Sequence, residues 1–155
     1  MTTKLDQDVV KSLNKLMQLH YDAEKTFLAA DRNLKPDGYL DVHLKDQAQM
    51  HGRYLQELRH ELEERFIKPE EVADFFEDAF DNMSMKLTAI TTSDDERILL
   101  KKCQQSQMNM LDDYDRALNI ETLPTELCEN LEQQFMHVKQ SIAGTERMIE
   151  ALTEE

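Results

Sequence analysis

Tryptophan is absent from this 155-residue chain, and glycine and proline number only three each. So few turn residues leave too little punctuation to build a sheet of short strands, and the composition favours helix throughout. Cysteine is also scarce. Cys103 and Cys128 have neither the CxxC spacing nor the nearby histidines of a zinc finger, so they are expected to be reduced, half-buried thiols rather than a disulfide. No run approaches the roughly 20 apolar residues of a membrane span, and MTTKLDQDVV at the N-terminus lacks the apolar stretch of a signal peptide. The expected location is the cytoplasm, with no membrane partner.

Positive charge is in deficit as well. Eighteen Lys and Arg stand against 32 Asp and Glu, a formal net charge of −14. Such a field repels phosphate backbones and anionic lipid, which argues against nucleic acid as a partner. The acids are spread along helical surfaces rather than gathered in a tail, as on a solvated face that also tolerates cations. Catalytic signatures are missing too: there is no GxSxG, no Gly-rich phosphate loop, no HExxH and no EF-hand loop.

What the chain does have is apolar residues at helical spacing. With 40% hydrophobic residues, a chain of this length can bury a core as one domain covering residues 1–155. Helix one is expected from Asp6 or Asp8 along Val9, Leu13, Leu16, His20, Ala23 and Phe27, ending before Pro36 and Gly38. Helix two is expected from about Tyr39 to Phe66 along Leu40, Leu44, His51, Leu55, Leu58 and Leu62, with Pro69 as its stop. A shorter segment, PEEVADFFEDAFDNMSMKL, opens with Pro and two Glu like a helix first turn, and Phe75, Phe76, Phe80 and Leu87 give it an apolar face.

TTSDDE supplies Ser and Asp as capping candidates, with Glu96 three residues after Ser93. Helix three then follows Leu100, Cys103, Gln107, Leu111, Tyr114 and Leu118 to the Leu123-Pro124 turn. Thr122 or Thr125 would cap helix four, whose stripe is Leu127, Leu131, Gln134, Val138, Ile142, Ile149 and Leu152. Strand alternation is absent. The expected fold is all-α, a ferritin-like antiparallel four-helix bundle with an extra short helical segment between helices two and three.

Each stripe carries polar residues near mid-helix: His20 and Glu24, His51, Gln107, and Gln134, with Gln47 and Tyr114 within reach. At about 100° per residue, His20, His51 and Gln107 fall near the centre of the apolar face, and Glu24 and Gln134 toward its edges. Left unpaired, each would cost about 1–3 kcal/mol, so the layer must be hydrogen-bonded, hydrated or metal-bound. The di-metal carboxylate pattern takes a Glu from two helices and Glu-x-x-His from two others. Here Ala48, Gln107 and Gln134 stand where carboxylates belong, which disfavours a ferroxidase centre.

A single ion, iron or zinc, would draw on Glu24, His51, His20 and His137, although His137 falls on the flank of its helix. Glu57 and His60 form a Glu-x-x-His opposite the Leu55 and Leu58 stripe, the pattern of a surface pair. Met17, Met108, Met110 and Met148 flank the stripes as gap-filling residues.

LNKLMQLHYDAEKTFLAA, RYLQEL and DDERILLKKCQQSQMNMLDDYDRAL followed by LP resemble, in order and spacing over nearly the whole chain, a bacterial family of ferritin-like domains of unknown function. The YDAEK stretch is also similar to the YciF-type ferritin-like stress proteins. The first resemblance implies a ferritin-like bundle, often dimeric, sometimes linked with stress or metal handling. It also implies an acidic residue near Asp22 and a Glu where this chain has Gln107. The second implies a ligand at Glu24. Three functions therefore stand as expectations: a stress-associated bundle with a degenerate metal layer, a metal-binding oxidoreductase using Glu24 and His51, and an interaction module, with a homodimer expected.

Overall fold

A computed structural model describes residues 4–33, 38–65 and 95–154. All regular structure among them is α-helical: α1 Lys4–Asn33, α2 Gly38–Arg65, α3 Glu96–Met108, α4 Leu111–Leu118 and α5 Thr125–Glu154. The expected segment carrying Phe75, Phe76, Phe80 and Leu87 lies outside the described residues. No described helix is long and apolar enough to cross a membrane.

The ends follow local chemistry. Asp95 caps α3, its carboxylate accepting from the backbone N–H of Arg97 at 2.9 Å and of Ile98 at 3.3 Å. At α5 the carbonyl of Pro124 accepts from Cys128 N at 2.9 Å. Thr125 is thus the first residue inside that helix rather than its cap.

The expected third helix is interrupted. Met110 N bonds back three residues to Gln107 O at 3.2 Å, a tighter 3₁₀-type step, while Asn109 and Met110 keep right-handed helical dihedrals. The interruption at Asn109 and Met110 separates α3 from α4 just beyond Gln107. Inward positions still advance by fours and threes across it, through Cys103, Gln107, Met110, Tyr114 and Ala117. Met110 therefore takes the core place assigned above to Leu111, which is half-buried. The same 4-3 alternation on α5 runs through Leu127, Leu131, Gln134, Val138, Ser141 and Thr145, so Ser141 replaces the expected Ile142. A repeat averaging 3.5 residues keeps one seam on its neighbours over many turns.

Adjacent helices meet in matched register. Residue numbers fall along α2 as they rise along α1, from His20 beside His51 to Asp31 near Lys45. Along α2 and α5 the pairs run from Arg65 with Glu126 to His43 with Thr145. Gln107 meets Ser141 and Tyr114 meets Gln134, which sets α3 and α4 against α5 in the same opposed sense. The result is a helical bundle.

Its interior is divided. One apolar cluster gathers Leu13, Leu16, Leu55, Leu58, Met110, Leu127 and Leu131; another gathers Phe27, Leu44, Ala48, Leu99, Leu100, Cys103 and Ile149. Between them, near the middle of α1, α2 and α5 and at the end of α3, lie the buried polar residues His20, His51, Gln107, Gln134 and Ser141.

Candidate functional site

All five helices contribute to this layer. α1 supplies His20 and α2 supplies His51, both wholly buried; α3 and α4 supply Gln107 and Tyr114; α5 supplies Gln134 and Ser141. The imidazoles of His20 and His51 approach through their Nδ1 atoms at 3.0 Å. His20 Nε2 lies 2.5 Å from the Tyr114 hydroxyl, which donates to Gln134 Oε1 at 2.9 Å. Gln134 Nε2 in turn donates to Glu57 Oε2 at 3.0 Å. At the other end Gln107 Nε2 lies 3.1 Å from His51 Nε2 and donates to Ser141 Oγ at 2.5 Å, and Ser141 donates to Gln47 Oε1.

These contacts determine where the protons sit. An ionised carboxylate only accepts, so Glu57 orients the Gln134 amide with its nitrogen outward and its oxygen toward Tyr114. Tyr114 must then donate to Gln134, and its oxygen accepts from His20 Nε2–H. His20 Nδ1 is left as an acceptor, which makes His51 the Nδ1–H tautomer and its Nε2 the acceptor for Gln107. Every hydrogen bond from Gln107 to Glu57 points the same way.

Burial keeps the two imidazoles and the phenol neutral. Desolvation holds His51 down to about 3, and desolvation followed by repulsion from His51 holds His20 well below its ordinary value. Desolvation, with the Tyr54 and Glu57 charges behind it, pushes Tyr114 well above the usual phenol range. Gln107 Oε1 is the one fully buried layer atom without a hydrogen-bond partner among the described residues. The opposite amide orientation would strand a two-donor nitrogen there, so the observed one leaves the lesser demand.

Of the residues anticipated for the layer, His20, Gln47, His51, Gln107, Tyr114 and Gln134 are brought into one network. Glu24 is not. Its carboxylate pairs with Lys25 at 3.1 Å and lies over Gly52, where an added Cβ would collide with Glu24 Oε2. His137 is exposed and hydrogen-bonds the Tyr54 hydroxyl, its ring stacked on Tyr54 with centroids 6.1 Å apart. Neither Glu24 nor His137 joins His20 and His51, and no three His, Cys, Asp or Glu side chains converge on a metal-sized position among the described residues.

Three contributors were missed from sequence. Ser141 stands beside the more apolar Ile142, and only the 4-3 alternation of α5 singles it out. Glu57, read as half of a surface pair with His60, ends the network through Gln134. Tyr54 is buried and sets its edge against His20, ring centroids 5.7 Å apart.

Outside Glu57 and Gln134 a groove of about 500 Å³ opens between α2 and α5, lined also by Arg53, Tyr54, Leu58, Leu127 and His137. The buried pair thus communicates with the surface through two side chains, Gln134 and Tyr114.

No curated protein and no solved structure matches this chain. Residues 8–120, which hold the whole of α1 to α4 apart from the first turn of α1, match the model of the family described as Domain of unknown function (DUF2383), and the chain belongs to that family.

Proposed function

We propose that this protein is a ferritin-like bundle that binds a ligand and does not oxidise iron. The observation that carries the reading is the engagement of the histidines. All four ring nitrogens of His20 and His51 are taken up by each other, Tyr114 and Gln107, and the carboxylates of Glu24 on α1 and Glu57 on α2 are engaged by Lys25 and Gln134 instead.

Topology supports the ferritin-like part. If each neighbouring pair is antiparallel, α2 and α3 run the same way, and the connection from Arg65 to Asp95 joins opposite ends of the bundle. One such crossover is the mark of ferritin-like folds among four-helix bundles. The donor set does not fit the di-iron centre of those folds, which needs several anionic oxygens to balance two cations. Gln107 and Gln134 are neutral amides and Ala48 is apolar, packed in the cluster around Phe27 and Leu44.

The test is ferrous iron added aerobically to purified protein, with elemental analysis afterwards. Oxidation no faster than in buffer, and no retained iron, is the expected result. Stoichiometric iron with oxygen-dependent oxidation would overturn the proposal. One equivalent of retained zinc, lost in His51→Ala with helical content intact, would move the assignment to a mononuclear metal site.

A further inference from the structure

The helices of the bundle are not equally joined. The backbones of α2 and α5 stand farther apart than those of α1 and α2, of α1 with α3 and α4, or of α3 and α4 with α5. Polar side chains span the wider gap along its length, from Arg65 with Glu126 at one end to His43 with Thr145 at the other. Between those ends Glu57 accepts from Gln134 at 3.0 Å and Gln47 accepts from Ser141, and these two bridges bracket His51 on α2. The groove of about 500 Å³ lies on the outer side of the same seam.

Hydrogen bonds and ion pairs near a surface exchange for water at small net cost, whereas a packed apolar seam must give up buried area to open. α1 is joined to its neighbours in the second way. Its Phe27 shares one cluster with Leu44 of α2 and Leu100 of α3, and its Leu16 shares the other with Leu55 of α2 and Tyr114 of α4. The seam between α2 and α5 is therefore where the bundle parts at least expense, as a local opening short of unfolding. Leu58 and Leu127 lie buried beneath it and are wetted when it parts, which keeps the open state a minor one.

We propose that α1 and α2 turn as a pair about the apolar seam that α1 makes with α3 and α4, and that this motion parts α2 from α5, bares His51 Nε2 and leaves His20 covered. Three bonds of the layer cross the moving boundary away from the hinge: Glu57 with Gln134, Gln47 with Ser141, and His51 with Gln107. The rest stay within a pair or at the hinge. His20 keeps His51 on one side and Tyr114 on the other, and Gln107 and Tyr114 keep their partners on α5. His51 Nε2, the acceptor in the proton order above, thus loses its amide donor and faces the opening with a free lone pair. Such a gate follows from how the helices are spaced and does not depend on what the layer binds.

Diethyl pyrocarbonate, which modifies imidazole nitrogens carrying a free lone pair, tests this on the whole chain at neutral pH, with each histidine followed by peptide mass spectrometry and the exposed His60 as reference. His51 is expected to react at least tenfold faster than His20, although both are fully buried in the closed bundle. Glu61 and Asn130 meet across the seam at 3.4 Å. Joining Glu61→Cys to Asn130→Cys with a bismaleimide, in a Cys128→Ser background, should slow His51 at least tenfold against the same variant left unjoined, with His60 unchanged. Arg65→Glu, which sets an acid against Glu126 at the end of the seam, should speed His51 several-fold without moving His20. Equal modification of His20 and His51, the signature of global unfolding, would overturn the proposal. So would a His51 that stays unmodified while His60 reacts, or one indifferent to the cross-link.

Discussion

His20 and His51 share one proton between two Nδ1 atoms 3.0 Å apart, and the side chain that decides which ring owns it is Glu57, outside the core on α2. Two neutral imidazoles meeting nitrogen to nitrogen form a hydrogen bond only if one is protonated there and the other is not. The acceptor-only carboxylate at the far end imposes the order through Gln134 and Tyr114. His20 is expected to be the Nε2–H tautomer and His51 the Nδ1–H tautomer. Ring ¹⁵N spectra at neutral pH distinguish the two directly, and a spectrum with the assignments exchanged would refute the proton order.

Acid should loosen the bundle before most of its carboxylates titrate. Folded His51 is held near 3 by burial, against about 6.5 in an unfolded chain, and His20 is displaced in the same direction. Below 6.5 the unfolded chain binds more protons, so stability is fullest above that value and falls as pH drops toward 3. For His51 alone the loss is about 2 kcal/mol at pH 5. His43, lowered by its own burial, adds to the trend. Asp31 opposes it between about 4 and 6, because desolvation and a hydrogen bond to Asp41 raise its carboxyl to about 6. Urea midpoints measured from pH 7.5 to 4.5 should decline, and a flat profile would show that the histidines are not buried neutral.

How much of this was legible in the chain depends on periodicity. The spans of α1, α2 and α5 and the inward placement of His20, His51 and Gln107 follow from 3.6-residue stepping and a few caps, whereas the break at Asn109 and Met110, which leaves Gln107 at the end of α3, does not. Ser141 and Met110 are not legible there, because each stands beside a more apolar residue, Ile142 or Leu111, and only the 4-3 alternation of the packed seam turns the less apolar one inward. Glu24 misled for a different reason. It follows His20 by one turn on the same helix, but Gly52 on α2 leaves room for its carboxylate beside the backbone, and its Lys25 partner lies on the outer side. Glu57 was hidden by its exposure, since a partner 77 positions away on α5 cannot be read from one helix.

Placing a carboxylate at position 107 tests how strongly the present amide dictates the state of the layer. A glutamate there cannot donate to His51 Nε2, so the stable arrangement has that nitrogen protonated and facing the new anion, with Nδ1–H still directed at His20. In Gln107→Glu the His51 titration midpoint is expected to rise by roughly 1–3 pH units, the effect of an opposite charge within hydrogen-bond range. An NMR titration of the ring resonances reads this, and an unmoved midpoint would mean that the 107 side chain does not address His51 in solution.

Tyr114→Phe separates the hydrogen-bonding role of the phenol from its bulk. The ring contributes packing that phenylalanine retains, including its contact with Phe135 at 5.5 Å between centroids. The hydroxyl alone joins the two halves of the network, and its loss strands His20 Nε2–H and Gln134 Oε1 in the core. Each buried group left without a partner costs about 1–3 kcal/mol, so a loss of about 2–4 kcal/mol is expected. For a chain of this size that corresponds to a Tm roughly 5–15 °C lower at pH 7. The tautomer preference of His20 should weaken at the same time, which a packing defect would not cause. A variant melting within about 2 °C of the parent, with the His20 tautomer intact, would mean that Tyr114 fills space without ordering the pair.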